Sequence, residues 1–233
     1  MALQDMREFL AVLEQQGLLR RVGVDVDPEL DVGCMVKWMF QALPEGDRFG
    51  LLFERVNGSD MKMATSALGA STRAYALALG VEPDEINGKW MDALCNPVAQ
   101  RRVDEGLCQE VVSEGDDIDL ARLPIPVWTP GKDAGRYITT TVVTRHAETG
   151  IQNYGVYRTL VLGRDRMVSN LSPGRQGYRY VMSHHELGEP APIAFIIGAE
   201  PAVHLASVTN FPLGFDEMTA AGGLKQEPIE MVV

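Results

Sequence analysis

The stretch Asn153-Tyr154-Gly155-Val156-Tyr157-Arg158 combines an amide, two phenols, a glycine and an arginine within six residues. The guanidinium at its end is a rigid fork of N–H donors that matches a carboxylate or a phosphate. A glycine inside such a stretch lets a ligand or another backbone come close. Further on, Ser172-Pro173-Gly174 is a turn composition that presents Arg175 as a possible second phosphate clamp. The same residues fit blander roles, an ordinary hairpin ending in a surface arginine and a solvated turn arginine. Local pattern leaves both open.

These residues must be positioned by strands. Tyr137 to Thr144 is rich in threonine and valine, as extended backbone prefers, and Glu148-Thr149-Gly150 is a turn signal. A second strand over Gln152 to Leu162 completes the hairpin. On it Asn153, Gly155 and Tyr157 share one face, and Tyr154, Val156 and Arg158 the other. Further strands are expected at Met167 to Leu171 and Ile193 to Ile197. Helices are expected at Tyr178 to Leu187 and Phe215 to Gly222, with a terminal strand from about Ile229. The first part of the chain alternates instead. Helices are expected over Leu3 to Gln16 (stopped by Gly17), Val32 to Leu43, Ala70 to Leu79 (stopped by Gly80) and Pro83 to Leu94. Strands are expected over Arg20 to Val26 and Leu51 to Val56, the latter followed by the turn Asn57-Gly58-Ser59. An acidic, then proline-rich strip from Glu114 to Pro130 connects the two patterns. The division predicts an α/β layer domain over 1–107 and a β-rich domain over 108–233.

The composition excludes several functions. A formal charge of −11 argues against unaided binding to nucleic acid or an anionic membrane. No apolar run of membrane-spanning length appears. The N-terminus lacks the basic start and apolar core of a secretion signal. Cys34, Cys95 and Cys108 have no metal-binding spacing, and most of them are expected to be buried free thiols in a reducing cytosol. Asp116, Asp117 and Asp119 lack the glycine and terminal glutamate of a calcium loop, so a solvated or capping role is expected. Trp128 and Tyr137, near prolines, are expected to pack loops. His184 and His185 are read as surface or local contacts rather than ligands.

Several blocks occur in a definite order: Cys108-Gln109-Glu110-Val111-Val112, Gly115-Asp116-Asp117-Ile118-Asp119-Leu120, Leu123-Pro124-Ile125-Pro126 and Asp133-Ala134-Gly135-Arg136-Tyr137-Ile138-Thr139. Asn153 to Arg158 follows, then Ile197-Gly198-Ala199-Glu200-Pro201-Ala202 and Glu217-Met218-Thr219-Ala220-Ala221-Gly222-Gly223-Leu224. Together they resemble the UbiD family of (de)carboxylases, which use prenylated flavin mononucleotide. The resemblance implies an α+β fold, a small N-terminal α/β domain followed by a split β-barrel that holds the flavin. It implies that Asn153, Glu217 and the residue at 176 hold a divalent metal, most often manganese, against the cofactor phosphate, with potassium as a further candidate ion. The family has a histidine where this chain has Gln176, which can ligate only through an amide oxygen. Tyr154, Gly155, Val156 and Tyr157 would shape the flavin environment, with core packing the simpler role for Val156. Arg175 would clamp phosphate. Arg158 would sit beside the flavin and bind the carboxylate of an aromatic, heteroaromatic or α,β-unsaturated acid.

The resemblance also sets an expectation about the end of the chain. Pro228 to Val233 reads as a strand stopped in mid-course, and family members are roughly twice as long. The barrel would therefore be unfinished, and the acidic pair that delivers a proton in the family would fall after Val233. A fragment with little activity alone is expected, as a homo-oligomer or with a completing C-terminal half. Two other readings stay open. One is a split-barrel flavin reductase, for which no glycine-rich dinucleotide fingerprint is present. The other is a non-catalytic flavin-binding or assembly module.

Overall fold

Helix α1 (Met6–Gln15) starts where the Asp5 side chain accepts a hydrogen bond from the Glu8 amide at 2.8 Å, and it buries Phe9 and Leu13. The computed structural model describes residues 3–232. Strand β1 (Leu19–Val26) follows, then α2 (Asp31–Ala42), which ends before Pro44. Strand β2 (Gly50–Val56) runs parallel to β1, and β3 (Met63–Thr65) pairs antiparallel with β2. Helix α3 (Thr72–Leu79) is capped by Ser71 and closed by Gly80. A short 3-10 turn over Pro83–Glu85 leads into α4 (Ile86–Cys95) and then β4 (Arg101–Val103). The elements expected in this part all form.

The second part departs from expectation in an instructive way. Each of the two long expected strands is broken in two. The first becomes β5 (Tyr137–Ile138) and β6 (Thr141–Arg145), and the second becomes β7 (Gln152–Val156) and β8 (Thr159–Val161). Strands β6 and β7 pair antiparallel in one sheet, while β5 and β8 pair in another. The chain thus crosses between sheets twice, at 139–140 and at Tyr157-Arg158. Strand β9 (Met167–Ser169) joins β8. Helix α5 (Gln176–Glu186) begins two residues before the expected Tyr178. Strand β10 (Ile193–Ile196) pairs with β6. Helix α6 (Pro201–Ser207), which the sequence reading missed, starts on a proline at its first position. Helix α7 (Glu217–Lys225) is followed by β11 (Glu230–Val232), parallel to β4. Val233, the last residue of the expected terminal strand, lies outside the described residues.

The fold is α+β. The described strands form four small sheets, ordered β1-β2-β3, β10-β6-β7, β5-β8-β9 and β11-β4, and no closed barrel forms among them. One core cluster gathers Leu79 and Ala93 from α3 and α4 with Tyr154 of β7, Ala206 of α6 and Met218 and Leu224 of α7. Helix α7 is therefore anchored from both sides of residue 107. The cysteines overturn expectation: Cys34, Cys95 and Cys108 are all exposed. Helix α2 explains the first, because it buries the face bearing Val32, Gly33 and Met39 and turns Cys34 outward. No helix among the described residues is long and apolar enough to cross a membrane.

Candidate functional site

A cleft of about 670 Å³ opens between β7, the start of α5 and the segment from the end of α6 to α7. Asn153, Tyr154, Gly155, Val156, Tyr157, Arg158, Arg175, Gln176 and Glu217 all line it. Residues that the sequence does not single out also line it: Asn170, Arg179 and Ser207, and the mixed polar and apolar segment Val208 to Phe211 with Leu213. Their signal was weak, since the segment has no regular periodicity.

The polar end of the cleft is built on Glu217. It is the first residue of α7, whose start is fixed by the Asp216 side chain accepting from the Met218 amide. Glu217 is only 4% exposed. Asn153 Nδ2 donates to its Oε1 at 2.7 Å, but Oε2 is buried with no hydrogen-bond partner. Burial pushes its pKa above the ordinary glutamate value, opposed by hydrogen bonds from its own backbone N–H and from Asn153. The Asn153 carbonyl oxygen Oδ1 accepts from the Tyr157 hydroxyl at 3.1 Å, and that hydroxyl accepts from the Gly177 amide at 3.2 Å. A Cβ at Gly155 or Gly177 would lie 2.8 or 2.5 Å from Tyr157 side-chain atoms, so both positions require glycine for this ring to fold back over the strand. Asn153, Gly155 and Tyr157 thus do meet on one side, although Tyr157 lies beyond the end of β7. Burial, the largest effect, raises the Tyr157 pKa, so the phenol stays protonated and donating.

Gln176 opens α5 on the cleft wall, with its Nε2 donating to the Tyr180 hydroxyl at 2.9 Å. Arg175 donates to Asn210 Oδ1 at 3.2 Å, across the cleft mouth. Tyr154 borders the cleft, but its side chain belongs to the core and donates to Gln152 Oε1 at 2.6 Å. Val156, for which core packing was the simpler expectation, is 38% exposed on the cleft surface. Val156 shares the strand face of buried Tyr154, so burial of that face ends before the last residue of β7. His184 is buried and contacts the Arg145 carbonyl at 3.0 Å through Nε2.

Arg158 is in the two-residue link between β7 and β8, not on the strand. Its Nη2 donates to Asp133 Oδ1 at 2.8 Å, and its guanidinium carbon lies 4.3 Å from the centre of the Tyr137 ring. Burial acts to raise the Asp133 pKa, but hydrogen bonds from Arg158 and the Thr129 amide outweigh it and hold the carboxyl below the usual aspartate value. Trp128 donates from Nε1 to the Tyr137 carbonyl at 2.9 Å, so the aromatics flagged as loop packers are also connected to Arg158.

The donor set can be tested against the implied metal and flavin phosphate. The described residues contain no cluster of three His, Cys, Asp or Glu side chains able to hold a metal. What they do contain is a buried carboxylate oxygen without a donor, beside two side-chain amides on one cleft. Amide and carboxylate oxygens suit a hard divalent cation. A buried unsatisfied carboxylate is costly unless a cation completes it. These residues fit such an ion, provided Asn153 and Gln176 present their oxygens to it.

Residues 10–94 match the model of the 3-octaprenyl-4-hydroxybenzoate carboxy-lyase N-terminal domain, and residues 101–233 match that of the carboxy-lyase Rift-related domain. The chain belongs to the UbiD family. Solved structures of UbiD-class enzymes superpose on nearly all of it. HmfF from Pelotomaculum thermopropionicum in complex with FMN is 35% identical with a TM-score of 0.87, covering 98% of this chain and 50% of HmfF. An evolved dimeric form of HmfF in complex with prFMN gives 35% identity and 0.86, covering 99% and 52%. Vanillic acid decarboxylase of Sedimentibacter hydroxybenzoicus in its closed form gives 28% and 0.89, covering 100% and 51%. An uncharacterized protein of Synechocystis sp., sll0936, is 31% identical over 94% of this chain and 48% of its own length. The chain spans about half the length of the relatives it matches.

Proposed function

We propose that this chain forms the cofactor-binding part of a UbiD-type carboxy-lyase that acts on an aromatic, heteroaromatic or α,β-unsaturated carboxylic acid. The observation that carries this reading is the half-satisfied Glu217–Asn153 pair, in one cleft with Arg158 and Arg175. Asn153 and Glu217, with Gln176 in place of the family histidine, would hold a divalent ion such as manganese through oxygen. Arg175, at the mouth, would meet the phosphate of a flavin mononucleotide. Val156, Phe211 and Leu213 offer the apolar wall that a flavin ring needs. When bound, prenylated flavin supplies the electron sink for the carbon that loses carbon dioxide. Arg158 would bind the substrate carboxylate through its fork and fix the acid in place. The sheets of the second part would form a portion of a split barrel, completed by a C-terminal half or by association of copies.

A second reading is favoured by one feature. Among the described residues that line the cleft, Glu217 is the sole carboxyl, and the reading above gives it to the metal. Without a positioned proton donor, turnover falls by about 10²–10⁴-fold. The chain by itself would then be a flavin-binding module, with its acid supplied from elsewhere. Expression in a host that makes prenylated flavin separates the readings. The carboxy-lyase reading predicts bound flavin and carbon dioxide release that Arg158→Ala abolishes. Flavin without carbon dioxide release identifies the binding module. Rapid NADH oxidation would point to a flavin reductase and contradict both.

A further inference from the structure

We infer that Asp133 and Tyr137 are positioning residues that aim Arg158 into the cleft, and that the N-terminal layer fixes the loop that carries them. The inference adds to the proposed role of Arg158 as carboxylate binder and rests on it for its consequence in turnover, but not for its geometry. The Asp133 side chain is 8% exposed, whereas that of Arg158 is 48% exposed. The carboxylate is aimed by its own loop: Oδ2 accepts from the Thr129 amide at 2.8 Å, and the Asp133 amide donates to the Thr129 carbonyl at 3.0 Å. Oδ1 is left to take Arg158 Nη2. The Tyr137 ring supports the guanidinium from one face at a distance suited to cation–π attraction. Among the described residues, Nε and Nη1 of Arg158 take no hydrogen-bond partner. Held through one N–H of Nη2 and supported on one face, the guanidinium keeps the second Nη2 N–H, paired with the neighbouring Nε–H or Nη1–H, as an edge for a carboxylate in a fixed plane.

The loop does not float. The Val127 amide donates to the Pro28 carbonyl at 2.9 Å, and Arg136 reaches Glu29 at 3.1 Å. Gly33 of α2 lies under the loop, where a Cβ would come within 2.6 Å of the Val127 carbonyl oxygen and 2.8 Å of that of Trp128. Both obstacles are backbone and cannot swing aside. The start of α2 thereby sets the height of residues 127–137, and through Asp133 and Tyr137 the pose of Arg158. Asp133 also puts a negative charge beside the place a substrate carboxylate would occupy. Its removal should therefore loosen the arginine while easing anion approach, two effects of opposite sign on turnover and apparent affinity.

Nitrogen-15 relaxation of the Arg158 Nε–H group in the labelled chain tests the geometry directly, with the resonance assigned by its loss in Arg158→Lys. The inference predicts an order parameter near that of rigid backbone, about 0.85, falling below about 0.6 in Asp133→Ala and in Tyr137→Leu. If Asp133→Ala does not fold, the isosteric Asp133→Asn takes its place and should show an intermediate loss of order. An Arg158 that stays rigid in the folded variants overturns the inference, whatever happens to turnover. In the flavin-loaded enzyme, Asp133→Asn should lower kcat by about 10–100-fold, the scale of a misplaced group, with KM unchanged or lower. A raised KM with normal kcat would contradict the positioning role. Undiminished turnover in Arg158→Lys would instead remove the carboxylate-binding reading and leave the relaxation result standing on its own.

Discussion

Two buried carboxylates at the ends of packed helices meet different fates in this molecule. Glu200, just before α6, has the Lys225 ammonium 2.8 Å from its Oε2, and the two side chains are 10% and 6% exposed. The contact is an ion pair between two nearly buried side chains. Glu217, at the start of α7, receives neutral N–H donors, the Asn153 amide among them, but no cation, and its Oε2 has no hydrogen-bond partner. The charge at Glu200 is answered within the chain and is structural. The charge at Glu217 is answered only by the helix N-terminus and an amide, which do not complete it. A fold that leaves a carboxylate incomplete at the edge of an open cleft retains room for a cation from outside.

The contrast can be broken most forcefully at the structural pair. Lys225→Met should destabilise the chain by about 3–5 kcal/mol in denaturant unfolding, because it strands a buried Glu200 charge. Adding Glu200→Gln should restore most of that loss, which a double-mutant cycle would read. The opposite sign is expected at the other carboxylate. Glu217→Gln should leave the metal-free chain as stable as the parent or more stable by about 1 kcal/mol, since it removes an unsatisfied buried charge while keeping the shape. A loss of several kcal/mol in that variant would mean that Glu217 is structural too.

A third test concerns Arg158. Because Asp133 titrates below its ordinary value, the stability of its pair with Arg158 is fully present above the unfolded aspartate value of about 3.9. It is lost as pH falls through the depressed native value. Arg158 side-chain order should hold down to about pH 4 and collapse below it, with Asp133→Asn insensitive to that window. The smallest effect is at His204, whose pKa is lowered by burial. The unfolded imidazole takes up its proton first, so stability should decline as pH falls below about 6.5, and His204→Gln should flatten that slope.

Much of the N-terminal layer was legible because its signals are local. Gly17, Gly80 and Pro44 punctuate helices whose apolar faces repeat at helical spacing. The second part was less so. Threonine and valine mark extended backbone from Tyr137 to Thr144, but nothing in their pattern says that the chain changes sheet at 139–140. The Tyr157-Arg158 break depends on a ring folding over two glycines 22 residues apart, Gly155 and Gly177. Helix α6 is too short for periodicity to speak. Asn153 and Glu217 are ordinary residues in isolation, and only the ordered family blocks brought them together. Asp133 lay within one of those blocks, yet its contact with Arg158 is a product of the crossing strands. The exposed cysteines show that a small apolar residue type does not fix its own side of a helix.

On the proposed function, Glu217 and Asn153 would take up a cation that ties an anionic flavin into the cleft. Manganese binding, followed by electron paramagnetic resonance in the presence and absence of FMN, tests it most directly. About one bound ion per chain is expected when FMN is present, with much weaker uptake without it and loss of binding in Glu217→Gln. Manganese uptake that is indifferent to both FMN and Glu217, or no uptake at all, would contradict it.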